Sequence, residues 1–146
     1  MNKQYMSIGF ADLAHFVKLL EAVGEERTIE YLQEAFKAAG DAIVRHGGQI
    51  RKYIGDMILF TFTDPRQAVQ AAREIATGYK QKVGAITLRF NVAVATGEVL
   101  VCQIGHPSHL IEDVMGTTVN RAALLLREAA QMGSGVALCD ETEKYA

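Results

Sequence analysis

Gln49-Ile-Arg-Lys-Tyr-Ile-Gly-Asp-Met-Ile-Leu-Phe-Thr-Phe62 sets one Gly-Asp pair between two apolar, β-type runs. Such a pair predicts a tight hairpin, because glycine tolerates the positive φ that a short turn can require. A hairpin this apolar belongs in the core of a domain, yet it carries Asp56 at its tip and Lys52 shortly before it. The carboxylate has two readings, as a good turn residue or as a cation ligand at the mouth of a buried hairpin. The hairpin alone leaves both open.

Upstream, Tyr5-Met-Ser-Ile-Gly-Phe10 reads as a short buried strand. After it, Leu13, Phe16, Val17, Leu19 and Leu20 recur at helical spacing. Asp12 therefore sits at a strand-to-helix junction, where its plain role is a helix N-cap. The helix breaks near Gly24, and a second spans about Glu25 to His46, ended by Gly47-Gly48. Downstream, Asp64-Pro65-Arg66-Gln67 is a helix start with a cap, a proline at the first helical position and a glutamine three residues after the cap. Leu88–Ala95 alternates as a strand does. Thr96-Gly97 predicts a turn into a further strand, Glu98–Ile104. A loop at Gly105–Ser108 and a short extended run at Leu110–Met115 follow. Gly116-Thr-Thr118 opens a helix to about Gln131, Val136–Cys139 is a last strand, and Asp140 caps a final turn. The predicted class is α+β: a ferredoxin-like β-α-β-β-α-β core, an antiparallel sheet with helices on one face, extended by a further C-terminal strand. That fold hosts many functions and names none.

The bulk numbers narrow the field. A chain of 146 residues predicts one domain, 1–146. Hydrophobic residues make up 49%, enough for one sizeable core. The formal charge is −2 and the pI about 6.1, so a general nucleic-acid binder is not expected. No apolar run is long enough to span a bilayer, and the N-terminus does not read as a signal peptide. Cys102 and Cys139 lack metal-ligand spacing and read as reduced thiols of a cytoplasmic protein. His106 and His109 have a loose H-x-x-H spacing without a third ligand in view and read as loop residues.

Asp12 and Asp56 gain meaning together. In a β-α-β-β fold the first strand lies beside the hairpin, so both acids can converge at one sheet end. Paired carboxylates with carbonyl and phosphate oxygens suit Mg²⁺ or Mn²⁺. Two such ions at a nucleotide would make a phosphoryl-transfer site.

At this point the residues reach a known family. Phe10-Ala-Asp12-Leu13-Ala-His-Phe16 resembles the first metal motif of the class III nucleotidyl (adenylyl/guanylyl) cyclase catalytic domains, and Lys52-Tyr-Ile-Gly-Asp56 resembles their second. Gly97-Glu98 with Gly105 resembles the family's glycine-bearing hairpin. Asp113-Val-Met-Gly116-Thr-Thr-Val-Asn120 resembles the late substrate motif. The motifs stand in the family's order from about Ser7 to Cys139. The resemblance implies that Asp12 and Asp56, with the Leu13 carbonyl, hold two Mg²⁺ or Mn²⁺ ions per site. It implies that Lys52 and Asp113 contact the purine and that Asn120 orients the ribose during 3′-oxygen attack on the α-phosphate. A Lys/Asp pair suits adenine, since a carboxylate accepts from the exocyclic amine and a lysine donates to a ring nitrogen. The implied activity is conversion of ATP to cyclic AMP and pyrophosphate by a head-to-tail homodimer with shared active sites, either as a stand-alone protein or beside a covalent sensor domain in a longer parent chain.

One position departs from the pattern. Where the family usually has an arginine, four residues after the asparagine, this chain has Leu124. Arg121, one residue from Asn120, is expected to point away from it by about 100°, and Arg127 lies two turns along. Leu124 therefore motivates an alternative: a cyclase-homology module that binds nucleotide or dimerises without turnover. Cys102 also stands where the family often has glycine.

Overall fold

The computed structural model describes residues 2–146. Strand β1, Asn2–Leu13, lies at the centre of the main sheet. Helix α1, Phe16–Arg45, is interrupted at Gly24 (φ 82°, ψ 175°), which is the break expected from the sequence. Strands β2 (Gln49–Ile54) and β3 (Met57–Phe62) form the hairpin, with Gly55 in its turn at φ 58°. Helix α2 (Pro65–Gly78) is capped by Asp64, whose carboxylate accepts from the Arg66 amide at 3.0 Å. Gln67 does not close a capping box; its Oε1 lies 2.9 Å from His46 Nδ1 and ties α2 to the end of α1.

A small separate hairpin, β4 (Gln81–Val83) with β5 (Ile86–Leu88), precedes the long strand β6, Phe90–His106. The long strand corrects two expectations. Thr96-Gly97 makes no turn, and Glu98–Ile104 is no separate strand. Asn2–Leu13 pairs with this strand continuously from Val101 to Phe90, and that unbroken ladder overrides a local turn signal. The same ladder carries β1 through Asp12 and Leu13, so Asp12 is a strand residue and caps no helix. His15, in the left-handed region at φ 67°, makes the junction instead.

Strand β7 (His109–Met115), helix α3 (Thr117–Ala129), strand β8 (Val136–Leu138) and a short helix α4 (Asp140–Glu143) complete the fold. The sheet order is β2-β3-β1-β6-β7, antiparallel throughout, with β8 added parallel to β6. The first four of these strands with α1 and α2 are the expected ferredoxin-like core.

Alternation along β1 divides the interior into two layers. Ala11 and Leu13 pack with Phe60, Val92 and the small residues of α1 and α2. Met6, Ile8 and Phe10 pack on the other face with Leu59, Val99 and α3 residue Ala122. The two core helices thus share one face, as expected, while α3, outside the core, covers part of the opposite one. Burying apolar side chains on both faces contributes about 1.5–3 kcal/mol per large residue before chain entropy is counted. No helix among the described residues is long and apolar enough to cross a membrane.

Candidate active site

Asp12 lies opposite Met57 on β3, and the Leu13 amide donates to the Asp56 carbonyl at 3.3 Å. These pairings bring the ends of β1 and of the β2–β3 turn together. Their carboxyl groups are within hydrogen-bonding reach of each other, and Asp12 is pushed up to about 7, first by burial and then by Asp56. Neither acid forms an ion pair with any described lysine or arginine. Two adjacent carboxylates without a counter-charge fit a divalent cation. Among the described residues no third His, Cys, Asp or Glu joins them, so carbonyls, water and substrate phosphates would complete any coordination shell.

Lys52 and Asp113 meet as well, by a longer route. They sit on β2 and β7, the two edges of the five-strand path. In a flat sheet those edges would be roughly 19 Å apart. Here Lys52 Nζ donates to Asp113 Oδ2 at 2.8 Å, because the sheet curls until its edges face each other. Asp113 is 7% exposed, and its other oxygen accepts from the Val114 amide at 2.8 Å.

A β-bulge assists the closure. Register shifts between Ile50 and Lys52, leaving Arg51 as the extra residue of β2. A bulge lets two successive side chains reach the same face. Arg51 Nε donates to Thr61 Oγ1 at 2.9 Å and Nη1 to Glu112 at 3.2 Å, one residue outside the Lys52–Asp113 pair. This second clasp was not legible in the sequence, since the bulge has no residue signature. Arg51→Met is expected to destabilise the chain by about 1–3 kcal/mol, because Arg51 is nearly buried and Glu112 and Thr61 lose their donor. Denaturant titration checks this; an unchanged denaturation midpoint would remove the clasp.

Asn120 is exposed in the second turn of α3, whose Thr118 hydroxyl donates to the Glu98 carbonyl at 2.8 Å and anchors the helix to β6. Leu124 is 63% exposed on the same helix. His106 and His109 face each other across the β6–β7 turn. His106 Nδ1 accepts from the Ser108 amide at 3.0 Å, which favours the proton on Nε2 and leaves no free pair there for a metal. Cys102 is half-buried and Cys139 buried, and neither forms a disulfide.

Comparison with known proteins identifies the class. No protein-family profile matches the chain. Adenylate cyclase 2 of Rhizobium meliloti (strain 1021) is 31% identical over 128 residues, covering 80% of this chain and 35% of that protein. The chain thus spans about a third of the length of that curated relative. Among solved structures, a bacterial light-regulated adenylyl cyclase superposes with a TM-score of 0.89 at 22% identity, covering 99% of this chain and 80% of that one. The guanylyl cyclase Cya2 superposes with a TM-score of 0.79 at 26% identity, covering 99% and 79%. The fold is that of a nucleotide cyclase catalytic domain. The chain belongs to the class III nucleotidyl cyclases. Adenylyl and guanylyl cyclases both stand among its neighbours, so the likeness does not choose the base.

Proposed function

We propose that residues 1–146 are an adenylyl cyclase domain that converts ATP to cyclic AMP and pyrophosphate at sites shared between two head-to-tail copies. The observation that carries the choice of adenine is the Lys52–Asp113 pair, a buried acceptor beside a partly exposed donor. An adenine amine would donate to Asp113 and a ring nitrogen would accept from Lys52, which opens their mutual bridge without leaving either charge unpartnered. Guanine offers the carboxylate a carbonyl oxygen in place of that amine and is disfavoured.

Asp12, Asp56 and the Leu13 carbonyl are the residues that would hold Mg²⁺ or Mn²⁺. Bound there, the ions supply charge neutralisation at the phosphates and activation of the attacking oxygen. Asn120 orients the ribose. A cytoplasmic protein, alone or joined to a sensor domain, fits this substrate.

The acid pair makes the metal reading testable by pH. The ordinary value for an aspartate is about 3.9, and Asp12 is raised to about 7 in the folded chain. A raised folded value means that its contribution to stability is full below about pH 4 and is lost as pH climbs through about 7. The metal-free chain is therefore expected to melt lower at about pH 8.5 than at about pH 5.5. A cation binds the ionised pair, so Mn²⁺ is expected to raise the melting temperature more at the higher pH. An equal rise at both would dissociate Mn²⁺ binding from these carboxylates.

Exposed Leu124 favours the second reading, a nucleotide-binding or dimerising module without turnover. Cyclic AMP formation from ATP with Mn²⁺, at protein concentrations that populate a dimer and with GTP alongside, separates the two. Product from ATP establishes the enzyme; ATP binding without product establishes the module.

A further inference from the structure

Asn120 opens onto a cavity of about 330 Å³ walled by Thr96, Thr117, Thr118, Arg121 and Leu124. The presence of Arg121 there corrects the expectation that it points away from Asn120. On a helix Leu124 lies about 40° past Asn120, and Arg121 about 60° past Leu124. The three form one continuous face with Leu124 in the middle. Helical side chains also lean toward the N-terminus, in keeping with Arg121 and Thr117 lining the same cavity.

The charges nearby are accounted for differently. Lys52 is tied to Asp113 and Arg51 to Glu112. Arg121 is exposed and makes no side-chain hydrogen bond or ion pair with any described residue. Arg127 is unpaired too, but it does not line this cavity. Leu124 offers no polar atom. The cavity that holds Asn120 therefore contains one cation, and that cation has no partner within the described residues.

We propose that Arg121 binds the triphosphate beside Asn120 and stabilises the charge that develops during cyclisation. This rests on the cyclase reading above. In that step the bond from the ribose 3′-oxygen to the α-phosphorus forms, and the 3′-hydroxyl proton passes to water. The bond from the α-phosphorus to the bridging oxygen breaks, and pyrophosphate leaves with the electron pair. Negative charge is spread over the α-phosphate oxygens and the leaving group, where a planar guanidinium with fixed donors binds better than water does. The cation thus comes from one turn earlier on α3 than position 124, from a residue adjacent in sequence to Asn120.

The test uses the full chain and the variants Arg121→Ala, Arg121→Lys and Arg127→Ala. Affinities for 3′-deoxy-ATP and 3′-deoxyadenosine are measured with Mn²⁺, and turnover is measured with ATP. Arg121→Ala is expected to reduce the triphosphate-over-nucleoside affinity ratio by about 10- to 100-fold. It is expected to lower kcat by about 10²–10³, with Arg121→Lys recovering part of each loss. Arg127→Ala should stay within about twofold of the parent in both. Arg121 is exposed, so melting temperatures should agree across the set. If the parent chain makes cyclic AMP and Arg121→Ala matches it in turnover and affinity ratio, the cyclase reading stands and the assignment of Arg121 is overturned. If the parent makes no product, the cyclase reading fails, and the affinity ratio alone decides whether Arg121 meets the phosphates: a loss supports the contact and no loss overturns it.

Discussion

Asp56→Asn is expected to abolish cyclic AMP formation, by a factor of about 10³ or more, while making the metal-free chain more stable at alkaline pH. The two effects have opposite signs because one cause lies behind both. Asp12 and Asp56 sit at the converging ends of β1 and the hairpin turn, unpaired with any described cation and within hydrogen-bonding reach of each other. Without metal, ionising both costs repulsion, and the amide removes that cost. With metal, the same repulsion is what the cation relieves, and the amide offers a much weaker ligand. Asp56 lies in a turn and is only half-buried, so the substitution leaves no cavity. Turnover with Mn²⁺ and thermal melting at about pH 8.5 without it check the pair of effects. Lost activity with an unchanged or lower melting temperature would mean that Asp56 supports the fold, and the metal assignment would lose its basis.

Gly9→Val is expected to cost about 3 kcal/mol or more of stability, lowering the melting temperature by roughly 10 °C. Gly9 pairs directly with Phe60 across β1 and β3, and any Cβ at this position would clash with the far edge of the Phe60 ring. Phe60 is fully buried and stacks edge-on against Phe62 at 5.9 Å between ring centres, so it has nowhere to move. Gly9→Ala should show the same effect, smaller. Because Gly9 lies on the core face shared with α1 and α2, the loss should appear in stability and expression before it appears in substrate affinity. A valine variant that melts with the parent would show that the core at Phe60 is loosely packed.

The amino-acid sequence alone determined the ferredoxin-like core and the identity of the charged residues at its end, but not the small β4–β5 hairpin. Periodicity marks α2 and the hairpin strands, and glycine marks the break at Gly24 and the turn at Gly55, because these features act within a few residues. It misread Thr96-Gly97 as a turn and Glu98–Ile104 as a separate strand, because a local turn preference was overruled by a ladder with β1 spanning Asn2 to Leu13, and the same ladder removes the plain capping role of Asp12. Tertiary structure alone decided how the charges are grouped. Lys52 and Asp113 are 61 positions apart on opposite sheet edges and meet only through the curl of the whole sheet. Arg51 joins them through a bulge that depends on the partner strand's register. Arg121 and Asn120 line one cavity, which a count of degrees around the helix axis did not anticipate. The acids were legible as residues; the burial that raises Asp12 toward neutrality, and the neighbouring Asp56 that adds to it, come from strand ends that only the folded chain brings together.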